Sequence, residues 1–148
     1  MSRKPRGSAN WEKNRIKVAK LYEKIRNKRL DFLHKLSTNL IKENDTICIE
    51  DLKVANMMKN HKLARAISDV SWSEFVRQLK YKANWHDKKI VKVDTFYASS
   101  QICNCCGYKN AKVKDLSIRM WKCPECKSNN DRDYNAAKNI LTEGFRLR

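Results

Sequence analysis

The chain has 148 residues, of which 41% are hydrophobic and 33% charged; that is enough apolar matter for one core and a small satellite module, and too much for a disordered chain. Lys and Arg number 33 against 16 acids, a formal net charge of +17, and such an excess calls for a polyanion, nucleic acid ahead of an anionic membrane surface. No run approaches the ~20 apolar residues of a membrane span and the first residues lead into no apolar signal segment, so no membrane partner is expected, and the chain is expected in the cytoplasm, associated with the nucleoid.

The charge is concentrated at the start. Residues 1–42 carry 13 Lys and Arg against Glu12, Glu23 and Asp31, a net of +10, which leaves +7 for everything after them. A solvated helix face normally mixes signs, so this one-sided segment is the expected nucleic-acid footprint. Within it Val18, Leu21, Tyr22, Ile25, Phe32, Leu33, Leu36 and Leu40 recur at steps of three, four and seven, interrupted at Arg29. That pattern predicts one amphipathic helix, or two, from about residue 10 to 42 with a basic outer face, roughly 50 Å long if unbroken.

Asp45 to Leu52 is short, β-branched and alternating, which predicts a strand with Thr46, Cys48 and Glu50 on one face and Glu50 at its C-terminal end. Trp72, Phe75, Val76, Leu79 and Ala83 then fit a helix from about residue 71 to 87, with the aromatics read as core. Lys89 to Asp94 predicts a second strand, Leu116 to Lys122 a hairpin strand, and Asp131 to Thr142 a closing helix with Gly144 placed to cap it.

Two C-x-x-C turns, Cys103 to Cys106 and Cys123 to Cys126, stand 16 residues apart. Each such turn aims two thiolates at one point, and two turns complete a tetrahedron, so these four cysteines are read as the ligands of a structural zinc ribbon. With all four positions taken by cysteine no place is open for water, and any catalysis has to come from elsewhere. A redox pair of disulfides and a ligand swap with Cys105 are the alternatives. Cys48 reads as a small buried hydrophobe, and the lone His34, His61 and His86 as surface or packing residues.

Two acidic clusters stand out in so basic a chain: Glu50 with Asp51 at a strand end, and Asp131 with Asp133 at a helix start. Carboxylates so placed can be drawn together to hold Mg2+ for phosphodiester hydrolysis. Equally, Asp131 can cap the helix while Asp133 sits on its positive end.

The run Ile47 to Leu52 (ICIEDL), then Ser99 to Gly107 (SSQICNCCG), Trp121 to Cys126 (WKCPEC) and Asp131 to Ile140 (DRDYNAAKNI) resembles the C-terminal half of the transposon-encoded TnpB (OrfB) proteins, relatives of the compact type V CRISPR nucleases. Asp31 to Thr38 (DFLHKLST) in the basic segment is also similar, so the likeness covers nearly the whole chain. The resemblance implies an α/β fold: an incomplete RNase H-like (RuvC) domain with an inserted four-cysteine zinc ribbon and a long basic N-terminal helix. The implied boundaries are a helical arm over 1–42, a RuvC-like part over 43–98, the ribbon over 99–127 and a terminal RuvC-like helix over 128–148. It further implies an RNA-guided DNA endonuclease whose partners are DNA and a guide RNA. Of the family's three Mg2+-binding carboxylates, the second falls on Glu50 and the third on Asp133, with Asp131 beside it as a further cofactor-binding position.

The first of those carboxylates has no counterpart, because nothing before Glu50 reads as a strand bearing an aspartate. The family's first strands should precede Met1, so the chain alone is not expected to cleave, and a missing N-terminal half or a full-length homologue would complete it. Bound Mg2+ is expected only in a completed site, whereas a non-catalytic zinc-ribbon module that binds DNA or RNA, or a decayed transposon remnant, is the alternative. Two local departures stand out: Lys127 occupies a position where the family commonly has glycine, and Asn130 one where it often has histidine.

Overall fold

The computed structural model describes residues 5–59 and 71–148. Helix α1, Ala9–Glu43, is one uninterrupted rod of 35 residues, about 52 Å long. Ser8 starts it by accepting a hydrogen bond from Trp11 N at 3.2 Å, and the sequence break at Arg29 leaves the backbone helical because no glycine or proline is there to end it. Among the described residues, only its last third is anchored. Leu33, Ser37 and Ile41, spaced by four, are its buried residues, whereas Ile16, Val18, Leu21, Tyr22 and Ile25 are exposed.

Strand β1, Thr46–Glu50, is followed by the short helix α2, Val54–Met57, and then by helix α3, Trp72–Trp85. His61 lies outside the described residues. Strand β2, Lys89–Val93, pairs with β1 in parallel, Ile47 opposite Ile90 and Cys48 opposite Val91. Helices α1 and α3 cover one face of this pair, where Ile41, Leu79 and Ala83 form a cluster completed by Leu40, Ile47, Phe75 and Ile90. Phe75 is therefore a core residue, as its helical spacing predicted.

The α1–α3 contact contains a buried polar knot. Lys82 Nζ donates to His34 O at 2.7 Å, to Ser37 Oγ at 2.7 Å and to Thr38 Oγ1 at 2.8 Å. Burial lowers the pKa of its ammonium, and the three acceptors compensate the lost hydration.

The closing helix α4, Arg132–Arg146, packs on the other face of β1 and β2. Here the structure corrects the expectation for Gly144. It lies inside this helix, not beyond its end, and a Cβ built on it would fall far inside van der Waals contact with Cys48 Sγ. Glycine is required because helix and strand touch at that point. The same contact shows that Cys48 points to the α4 side, with Thr46 and Glu50 sharing its face by alternation, and burial raises the Cys48 thiol.

Between β2 and α4 lies a separate small module with its own cluster, Cys103, Val113, Trp121 and Cys123 with Ile118 against them. It contains a 3-10 turn, Ala111–Lys114, and an antiparallel pair, β3 (Met120–Lys122) with β4 (Asn129–Asp131). The hairpin strand is thus shorter than the sequence suggested. The molecule is an α/β assembly of one helix-covered strand pair and one satellite, and among the described residues neither β1 nor β2 has a further strand neighbour. No helix among them is long and apolar enough to cross a membrane.

Candidate metal centre and acidic residues

The two cysteine turns are built alike. In the first, Cys103 N donates to Tyr108 O and Gly107 N to Cys103 O, both at 2.8 Å; in the second, Cys123 N donates to Ser128 O at 2.9 Å and Lys127 N to Cys123 O at 3.0 Å. Both turns close with a left-handed residue, Gly107 at φ 78° and Lys127 at φ 62°. The position where a glycine is expected therefore does carry the conformation that favours one, and lysine bears the cost of it.

The turns bring the sulfurs of Cys103, Cys106, Cys123 and Cys126 within 4.8 Å of one another. Cys103 and Cys126 are 3.7 Å apart and Cys106 and Cys123 3.6 Å, close to the edge of a tetrahedron with metal–sulfur bonds of about 2.3 Å. The set can hold a metal ion. Burial raises the Cys103 thiol, but hydrogen bonds from Ser128 and from the backbone of Cys106 and Cys105 outweigh it and bring it down to about 6. The Tyr108 backbone lowers Cys106, yet burial and the sulfurs of Cys126, Cys123 and Cys103 push it up to about 12. Four thiolates this close need a cation to coexist. Cys105, the extra cysteine of the first turn, points outward and is exposed.

The acids lie apart from this centre. Glu50, at the end of β1, borders a cleft of about 190 Å3 whose walls include Asp51, Trp72, Val76 and Lys92. Burial alone raises its carboxyl above the usual range. Its neighbour Asp51 is held at about 2 by hydrogen bonds from Lys92 and Lys53. Asp131 caps α4, accepting from Tyr134 N at 2.9 Å. Asp133, in the first helical turn, has a side chain 78% exposed and paired with Arg119 at 3.4 Å. Among the described residues the four cysteines are the one group of three or more Cys, His, Asp or Glu side chains close enough to share an ion. Glu50 and Asp133 thus sit on two elements packed together, β1 and α4, without forming a complete carboxylate site.

Several residues make contacts at these sites that the sequence did not announce. Ser128 Oγ lies 3.4 Å from Cys103 Sγ and 3.2 Å from Cys126 Sγ, within reach of both thiolates. Asn130, in the position where histidine was expected, directs its amide to Ser128 Oγ at 3.2 Å and towards Cys103 Sγ at 3.9 Å. Arg119 is placed by its carbonyl, which accepts from Arg132 N at 2.8 Å. Asn135 and Asn139 are buried on α4, and their signal was legible: asparagine is a poor helix former, and two of them four apart share one face.

Comparison with known proteins agrees with this arrangement. The OrfB_IS605 family model, described as a probable transposase, matches residues 1–61, and the Cas12f1-like TNB domain model matches residues 72–140. A protein of Streptomyces pristinaespiralis provisionally named an RNA-guided DNA endonuclease is 49% identical over 98% of this chain, and InsQ of Escherichia coli K12, provisionally named likewise, is 38% identical over 97%. The chain spans 36% and 39% of the lengths of those relatives. Among solved structures, the Cas12f1–sgRNA–target DNA complex matches 88% of the chain with a TM-score of 0.65 at 21% identity, the chain covering 39% of that protein; this likeness bears on the fold. Taken with the cysteine pair of turns and the acidic motifs at β1 and α4, these matches show that the chain is similar to TnpB/OrfB proteins over nearly its whole length.

Proposed function

We propose that the chain is the C-terminal portion of an RNA-guided DNA endonuclease: an RNase H-like part bearing two of three catalytic carboxylates, Glu50 and Asp133, with a structural zinc ribbon inserted before its last helix. The observation that carries this reading is that α4, with Asp133 in its first turn, packs across β1, which ends in Glu50. The all-cysteine donor set and its spacing favour zinc over harder ions. Bound Mg2+ would supply charge neutralisation and an activated water at the scissile phosphate.

Two carboxylates make an incomplete clamp, so no catalytic step is assigned to this chain alone. A third acid would come on a strand added to the open edge of the β1–β2 pair, supplied by the N-terminal half of a longer relative. Lys and Arg along α1 contact the phosphates of guide RNA or DNA and set register without reading sequence. Asp131 is spent on capping, and at most its second oxygen faces an ion.

The test is cleavage of labelled DNA in Mg2+ or Mn2+ with guide RNA, by the chain alone and with the N-terminal half of a full-length relative added. Binding without cleavage is expected from the chain alone. Cleavage is expected on addition and is lost, by at least about a hundredfold, in Glu50→Ala or Asp133→Ala. Cleavage indifferent to both substitutions overturns the assignment. The second reading, a non-catalytic nucleic-acid-binding module, draws on the +10 of residues 1–42, and is favoured if binding persists while addition never yields cleavage.

A further inference from the structure

The last helix is fastened to the ribbon by side chains that neither the metal nor the acids require. Asn135 Oδ1 accepts from Asn104 N at 2.9 Å, and its Nδ2 donates to Ile102 O at 2.7 Å. One turn later, Asn139 Nδ2 donates to Ile102 O at 2.6 Å and to Ser99 O at 2.7 Å. Two amides on one helix face thereby converge on a single carbonyl and take up the irregular backbone on both sides of Cys103. The amides are enclosed, Asn135 being 2% and Asn139 5% exposed, so water cannot replace these partners without opening the contact.

The backbone that meets these amides is held by turn hydrogen bonds, Gln101 N donating to Ala98 O at 2.9 Å and Cys103 N to Tyr108 O at 2.8 Å, and by no extended strand. Residues 99–104 form no strand longer than the single bridge between Ile102 and Lys109, and the ribbon behind them has a core of four buried residues, far too small to hold a fold without metal. The shape of the first cysteine turn is therefore what presents Ile102 O and Asn104 N to the helix. Asp133 lies just before Asn135 and Asn139 begin to grip, on the same rigid element.

We propose that Asn135 and Asn139 are positioning residues that tie α4, and Asp133 with it, to the ribbon, so that filling of the four-cysteine centre sets the order of the helix's first turns. The proposal rests on the reading of the ribbon and of Asp133 given above, and it adds a coupling to it. Metal bound apart from the acids then acts on them through two asparagines. Their burial has a reason in this chain that helix propensity opposes.

Hydrogen exchange on the full reduced chain tests it, with the centre loaded with cobalt or zinc and then stripped by chelator. In the wild type, the backbone amides of residues 136–140 are expected to exchange about tenfold or more faster on stripping, as protection worth roughly one net hydrogen bond disappears. In Asn135→Ala/Asn139→Ala, with cobalt–thiolate absorption intact, the same amides are expected to exchange fast already and to show no further response to metal. Asn135→Asp, which keeps the acceptor for Asn104 N and removes the donation to Ile102 O, is expected to fall between the two. Wild-type exchange that ignores metal, or a double variant that still responds to it, overturns the coupling, and the wild-type comparison stands even if the double variant fails to fold. A wild type that takes up no cobalt overturns the ribbon reading and the coupling together, whereas cobalt uptake with unchanged exchange overturns the coupling alone.

Discussion

Glu50 ends its strand at the border of a cleft, and burial is the sole influence that moves its titration, upward. An acid whose folded pKa is raised is tolerated in its neutral form below its unfolded value, and that tolerance disappears as pH rises through the folded value. At neutral pH the carboxylate is therefore held at a cost to stability, the usual mark of a group kept for another purpose. Glu50→Gln is expected to melt higher than the wild type at pH 7 in buffer free of divalent ions, by about a degree or two, with the gap closing as pH falls through the raised folded pKa to the ordinary value of 4.5. Thermal melts at the two pH values decide it, and a variant that melts lower at pH 7 removes the argument. Asp51, one residue on, is the opposite case: Lys92 and Lys53 hold it near 2, which fits a fixed surface ion pair and explains why only one acid of this adjacent pair is a candidate ligand.

Helix α4 shows what a motif reveals and what it conceals. Its acids, its cap at Asp131 and the four cysteines before it were legible because charge and C-x-x-C spacing are local signals. The role of Gly144 was not, since its partner Cys48 lies almost a hundred positions earlier and a glycine near a helix end reads as a cap until the strand is in place. Ala in place of Gly144 improves helix propensity by about 1 kcal/mol, yet its methyl group would run into Cys48 Sγ and Cβ. Overpacking of this kind costs about 1–3 kcal/mol, so Gly144→Ala is expected to lower the melting temperature by several degrees, and Gly144→Ala/Cys48→Ala to recover part of the deficit. A single variant as stable as the wild type would mean that α4 does not approach β1 so closely. Strand β4 was missed for a similar reason: Asn129, Asn130 and Asp131 have low strand propensity, and pairing with Met120–Lys122 overrides it.

Across the whole molecule, charge and burial are arranged in opposite directions. The half of α1 that carries most of the excess cations is the half that packs against nothing described, while its last third is locked to α3 by Lys82 and the Ile41 cluster. Nucleic-acid affinity is expected to fall steeply with salt, and replacing Lys17, Lys20 and Lys24 by glutamine to flatten the plot of log affinity against log salt by roughly one unit for each phosphate no longer neutralised. Fluorescence anisotropy with a labelled RNA or duplex measures both, and an unchanged slope would remove α1 from the interface. The parallel strand pair has a different outcome for the molecule. Parallel strands are ordinarily enclosed on all sides, and among the described residues no further strand pairs with either outer edge. Whatever strand reaches the β1 edge first, whether a cognate segment or another copy, therefore decides whether the polypeptide accumulates as a working assembly or is cleared as aggregate.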